Sequence, residues 1–104
     1  MRVETVGDGP PEVAVVGGIH GDEPCGFHAV ETLIAERPAV ERPVKFLVAN
    51  EEARELSARY VDEDLNRAFP GDPDADTHEG RLAARITDEL AGLTTLSLHS
   101  TQSY

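Results

Sequence analysis

The sequence predicts an α/β domain in which a mostly parallel or mixed sheet is flanked by helices, and three observations carry that expectation. Short apolar runs of strand length recur along the chain. Between them lie two longer stretches whose apolar residues repeat with helical spacing. The order is strand, helix, strand, long connection, helix, strand, and right-handed crossovers make such strands parallel with helices over the sheet.

Taken in chain order, "VETV" near the N-terminus offers an edge strand before the "GDGPP" turn. "EVAVV" (12–16) is continuously apolar, as a strand covered on both faces requires. From Pro24 to Arg37, Phe27, Val30, Leu33 and Ile34 form one helical stripe. Asp22 is placed to cap that helix, Pro24 suits its first turn, and Pro38 ends it. "VKFLVAN" (44–50) is the next strand, and residues 51–75 form a long connection of the kind usually kept for function. Leu82, Ala83, Ile86 and Leu90 define a second amphipathic helix, starting near Asp76 or Thr77 and stopped by Gly92. "TTLSLH" (94–99) closes the series as a buried strand with Leu96 and Leu98 on one face.

The 104 residues allow one domain with a single core. Twenty acidic residues face nine basic ones, of which only Lys45 is a lysine, for a formal charge of -11. Such a surface repels nucleic acid and anionic membranes, so neither is expected as a partner. Its composition is also halophile-like, since high salt screens the self-repulsion. One cysteine excludes an internal disulfide. No apolar run reaches bilayer length and "MRVETVGDGP" lacks a signal-peptide core, so a soluble, cytoplasmic protein is expected.

In parallel sheets, ligands bind beyond the carboxyl ends of the strands. The stretch "GGIHGDEPCG" (17–26), the 51–75 connection and His99 each follow a predicted strand, which brings them to one edge of the sheet. His20 and Glu23 have the donor types zinc takes, an imidazole nitrogen and a carboxylate. On their own they read as a surface cluster at a helix start. His99 alters that weighing, because two histidines and a carboxylate leave a fourth zinc position open. In "RYVDEDLNR" (59–67), Arg59, Asn66 and Arg67 offer donors for an anionic substrate or developing oxyanion, and Asp62 and Asp64 could orient a ligating histidine.

Together "GIHGDEPCG", "RYVDEDLNRAFPG" and "LSLHSTQSY" resemble the N-terminal part of the succinylglutamate desuccinylase/aspartoacylase family, zinc amidohydrolases related to the metallocarboxypeptidases. The resemblance implies a zinc-carboxypeptidase-like fold, here in truncated form. It implies one Zn2+ held by His20, Glu23 and His99. Arg59 would polarise the scissile carbonyl, Asn66 and Arg67 would hold a substrate carboxylate, and Asp64 would bond to a zinc histidine. The implied reaction is hydrolysis of an N-acyl amino acid or similar carboxylate-bearing amide by zinc-activated water.

Where many amidohydrolase relatives carry an acidic residue two positions before the last zinc histidine, Ser97 stands, as it can in carboxypeptidase relatives. The family's general-base glutamate lies well beyond the third ligand, whereas the sequence stops at Tyr104. Residues 1–104 are therefore expected to be the zinc-binding portion of a catalytic domain, without the base and with weak activity or none. A sheet edge left open by missing strands predicts self-association.

Rival readings are a noncatalytic zinc- or anion-binding module, nucleotide binding through the glycine-rich stretch, and nucleophilic Cys25. No G-K-[ST] and no G-x-G-x-x-G spacing supports the second. A small packed residue accounts for the cysteine. Glu51, Glu52, Glu55 and Glu79 read as surface charge, and His28 and His78 as structural or surface residues.

Overall fold

The computed structural model describes residues 1–98. Its order is β1 (Arg2–Val6), β2 (Val13–Gly17), α1 (Pro24–Glu36), β3 (Val44–Val48), α2 (Glu51–Glu55), α3 (Leu65–Ala68), α4 (His78–Leu90) and β4 (Thr94–Leu98). The four strands form one mixed sheet in the order β1-β3-β2-β4. β2 pairs in parallel with both β3 and β4, and β1 runs antiparallel along β3. Among the described residues, no helix is long and apolar enough to cross a membrane.

Alternation along the strands divides the core between two faces. On one, Phe27, Val30 and Ile34 of α1 pack on Val6, Phe46 and Val48. On the other, Leu82, Ala83 and Ile86 of α4 pack on Val16, Leu47 and Leu65. Phe27 is wholly buried, which contributes about 1.5–3 kcal/mol of apolar transfer free energy. Two glycines allow α1 to approach so closely. A Cβ on Gly17 would lie 2.2 Å from the Gly26 carbonyl oxygen, and one on Gly18, whose φ is +83°, would lie 2.5 Å from the Phe27 ring.

Several local expectations need correction. Asp22 does not cap α1: Glu23 occupies the N-cap position without a side-chain cap bond. Pro24 at the first helical position sets that boundary one residue later, and the Glu23 carboxylate turns instead to His20. The 51–75 connection is not simply a loop. Asn50 caps α2 by accepting from Ala53 N–H, and Asp64 caps α3 by accepting from Asn66 N–H. β4 is not buried. It is an outer strand of the described sheet, as β1 is at the other edge, and Leu96 is 57% exposed. Cys25 is exposed rather than packed. Glu79 is not surface charge, because it is fully buried.

The topology positions the site. The chain leaves β2 through α1 for β3 on one side, then returns through α4 to β4 on the other. With α1 and α4 on opposite faces, the chain leaves the adjacent carboxyl ends of β2 and β3 toward opposite sides of the sheet.

Candidate functional site

Two segments build the candidate site, residues 18–23 after β2 and residues 49–67 after β3. Backbone bonds join them: Ala49 N–H donates to Gly17 O at 2.9 Å, Asn50 N–H to Gly18 O at 2.9 Å, and Gly21 N–H to Arg59 O at 3.1 Å. Glu23 N–H donates to His20 O at 3.2 Å, curling the first segment so that both side chains share one side.

His20 is buried, 3% exposed, and has a carboxylate on each ring nitrogen. Nδ1 lies 2.6 Å from Oε2 of Glu23, and Nε2 lies 2.9 Å from Oδ1 of Asp64. A neutral imidazole carries one N–H, so it can donate to only one of them. With the proton on Nε2 facing Asp64, the Nδ1 lone pair is on the Glu23 side, so the imidazole nitrogen and the carboxylate are neighbouring donors for one metal ion.

Arg59 spans the two acids, with Nη1 3.7 Å from Glu23 Oε2 and Nε 3.6 Å from Asp64 Oδ2. Its side chain is half exposed and thus open to a ligand. Burial pushes the Asp64 carboxyl up, but the bonds from His20 and Asn66 N–H and the charges of His20 and Arg59 outweigh it. The net result is a carboxyl below the usual aspartate range.

His20, Glu23, Arg59 and Asp64 come together. Asn66 and Arg67 lie next to them on α3, both exposed. Asn66 borders an apolar cleft of about 210 Å³ lined also by Val16, Ile19, Phe69, Ile86 and Leu90. His99 lies outside the described residues. The last described pair of β4, Leu98 with Gly17, is level with the start of the His20 segment. Asp62 turns away, since its Oδ2 accepts from His78 N–H at 2.7 Å. His28 is exposed on α1, and His78 Nε2 lies 3.0 Å from Asn50 Oδ1 and 3.2 Å from Glu52 Oε2.

Among the described residues, no three His, Cys, Asp or Glu side chains assemble into a metal-holding group. His20 and Glu23 form a two-donor set, and Asp64 sits on the far ring nitrogen, where it orients the imidazole. One imidazole and one carboxylate on a protected edge are donors zinc accepts, and a carboxylate behind the histidine is the usual support for such a ligand. The residues present therefore fit the group, short of a third ligand.

Sequence reading missed Glu79. Its carboxylate accepts from Asn50 Nδ2 and Val61 N–H, both at 2.8 Å, from Asp62 N–H at 2.7 Å and from Glu63 N–H at 3.0 Å. Burial pushes this carboxyl up, yet the four donors hold it below the ordinary glutamate value. A glutamate near the start of a predicted helix reads as surface charge, so only the fold reveals its partners.

Known proteins resemble the chain in sequence and in fold. Residues 10–103 match the succinylglutamate desuccinylase/aspartoacylase catalytic domain. An N-acyl-aromatic-L-amino acid amidohydrolase (carboxylate-forming) B from Danio rerio is 33% identical over 91 residues, covering 75% of this chain and 28% of that protein. An aspartoacylase from Danio rerio is 40% identical over 60 residues, covering 55% of this chain and 19% of that protein. The crystal structure of a succinylglutamate desuccinylase/aspartoacylase from Rhodobacter sphaeroides superposes with a TM-score of 0.80 at 30% identity, over 94% of this chain and 33% of that one. The chain thus spans a third or less of the length of these relatives. With its mixed sheet and the match over residues 10–103, the chain belongs to the succinylglutamate desuccinylase/aspartoacylase family.

Proposed function

We propose that residues 1–104 are the metal-carrying portion of a zinc-dependent amidohydrolase whose substrate is an N-acyl amino acid or a similar carboxylate-bearing amide. The family is one of zinc amidohydrolases acting on N-acyl amino acids. The observation that carries the reading here is the placement of His20 between Glu23 and Asp64, with Arg59 across both acids.

His20 and Glu23 would hold one zinc ion, with His99 as the third ligand. Bound zinc lowers the pKa of water and polarises a carbonyl, the two requirements of amide hydrolysis. Asp64 keeps the His20 proton on Nε2 and fixes the ring plane, leaving Nδ1 as the donor atom. Arg59 presents its guanidinium to the amide carbonyl oxygen, where charge develops. Asn66 and Arg67, exposed beside it, hold the substrate carboxylate, and Arg offers the planar fork that suits one. In a chain of net charge -11, these arginines are the local attraction for an anion.

A general base would come from outside these residues. The four-donor engagement of Glu79 makes it unavailable as one. Residues 1–104 alone would therefore bind zinc and hydrolyse slowly or not at all, since a missing general base costs about 10²–10⁴ in rate. Zinc titration of the chain, followed by hydrolysis assays on N-acetyl and N-succinyl amino acids, tests both parts. One equivalent of zinc is expected, abolished by His20→Ala. A wild-type chain that takes up no zinc defeats the metal assignment, and family-like turnover by the chain alone defeats its incompleteness.

A further inference from the structure

Behind the two-donor set lies a second layer that no motif announces. Asp64 and Arg59 do not reach His20 and Glu23 from a strand or a long helix. They come from residues 59–64, an irregular segment between α2 and α3. An irregular segment holds side chains to within a fraction of an ångström only where its backbone is held by something rigid. Here the support is one carboxylate. Glu79, in the first turn of the thirteen-residue α4, directs Oε2 at Val61 N–H and Oε1 at Asp62 N–H and Glu63 N–H. Its remaining partner, Asn50 Nδ2 at 2.8 Å, belongs to the residue that follows Ala49 at the end of β3, whose own N–H is bonded to Gly18 O. One side chain thereby ties α4, the sheet edge and the Arg59–Asp64 segment together.

We propose that Glu79 is a positioning residue of the candidate zinc site: its buried carboxylate clamps backbone 61–63 and thereby sets Asp64 against His20 and Arg59 against Glu23. The inference rests on the reading of His20 and Glu23 as zinc ligands. It makes no contact with metal or substrate part of the role, since Glu79 acts through Asp64. The three clamped amides immediately precede Asp64, so releasing them frees the residue whose Oδ1 holds Nε2 of His20. A glutamine at this place keeps the shape but turns an NH2 group toward N–H donors, so some of the four bonds are lost.

The test compares the full chain as wild type, Glu79→Gln, and Val30→Ala, a control that loosens the opposite face of the sheet. Two quantities are read under conditions where each variant is folded. The first, without metal, is solvent exchange of the His20 Nε2–H and of the amides of Val61, Asp62 and Glu63 by NMR. The second is the dissociation constant for zinc alone. Glu79→Gln is expected to speed exchange at all four protons and weaken zinc by about ten- to a hundredfold, the usual effect of losing an outer partner of a ligand. Val30→Ala is expected to move neither. Unchanged exchange at His20 Nε2–H in Glu79→Gln overturns the proposal, and so does equal loosening in Val30→Ala. If Glu79→Gln does not fold, Glu79→Asp replaces it, since the shorter carboxylate cannot reach all four donors. If the wild type takes up no zinc, the metal reading fails by itself and the exchange of His20 Nε2–H alone decides the clamp.

Discussion

His20 and Asp64, 44 positions apart in the chain, meet with 2.9 Å between Nε2 and Oδ1. The contact fixes which ring nitrogen is turned away from Glu23, and so which face of the imidazole a cation can use. Asp64 also accepts from Asn66 N–H at 3.0 Å, so one carboxylate serves both the histidine and the start of α3. Substituting Asp64→Ala should weaken zinc binding by about ten- to a hundredfold. A competition titration against a chromophoric chelator measures it, and wild-type affinity in the variant would argue against the orienting role.

Zinc should stabilise the folded chain, because a ligand that binds only the native state shifts unfolding by mass action. At a free concentration a hundred times the dissociation constant, the gain is about 2.7 kcal/mol. Thermal melts with and without zinc should separate for the wild type and coincide for His20→Ala and for Glu23→Gln.

Glu79 should make stability depend on pH in a defined direction. Its folded carboxyl titrates below the ordinary glutamate value of about 4.3. The contribution is therefore complete above that value and is lost as pH falls through the lower folded one. At pH 7, Glu79→Gln should cost about 1–3 kcal/mol by leaving buried donors poorly met. Urea unfolding from pH 7 down to pH 3 should show the gap between the two proteins closing at the acid end. A constant gap would contradict the assignment.

Gly17→Ala should destabilise more than its small size implies. The added Cβ would stand 2.2 Å from Gly26 O and 2.7 Å from a Val30 methyl, so α1 must move off β2. Overpacking of this kind costs about 1–3 kcal/mol, occasionally more. Because His20 and Glu23 lie between Gly17 and α1, zinc affinity should fall along with the denaturation midpoint.

The exposed edge at β4 should promote self-association. Leu96 is 57% exposed on an outer strand that pairs with β2 alone among the described residues. Sedimentation velocity should show the average mass rising with concentration, and Leu96→Lys should suppress the rise, since a charged edge discourages strand addition. A monomer at every concentration would remove the prediction.

Much of this was readable before any coordinates. The apolar runs at 13–16 and 44–48 place β2 and β3, and the Leu82, Ala83, Ile86 stripe places α4, because burial demands the period of each element. Pro24 marks the start of α1, though the cap passes to Glu23 instead of Asp22. Side-chain spacing also marks His20 and Glu23 as a pair, since three residues of a tight turn keep them together.

What one-dimensional reading lacked was the partner of each polar group. Glu79 and Glu55 look alike in sequence, yet one is fully buried with four donors and the other is exposed. Asp62 and Asp64 read alike by residue type, and only the family resemblance favours Asp64; in the fold Asp62 accepts from His78 N–H and Asp64 meets His20. By itself the sequence determined the α/β alternation and the residue types gathered after each strand, because these depend on local periodicity and spacing, and its three motifs carried the resemblance to the family. The tertiary structure decided which carboxylates meet His20 and which are taken up by backbone donors. Hydrogen bonds between segments tens of residues apart are set by the crossing of chains at the sheet edge, and no local pattern encodes that crossing.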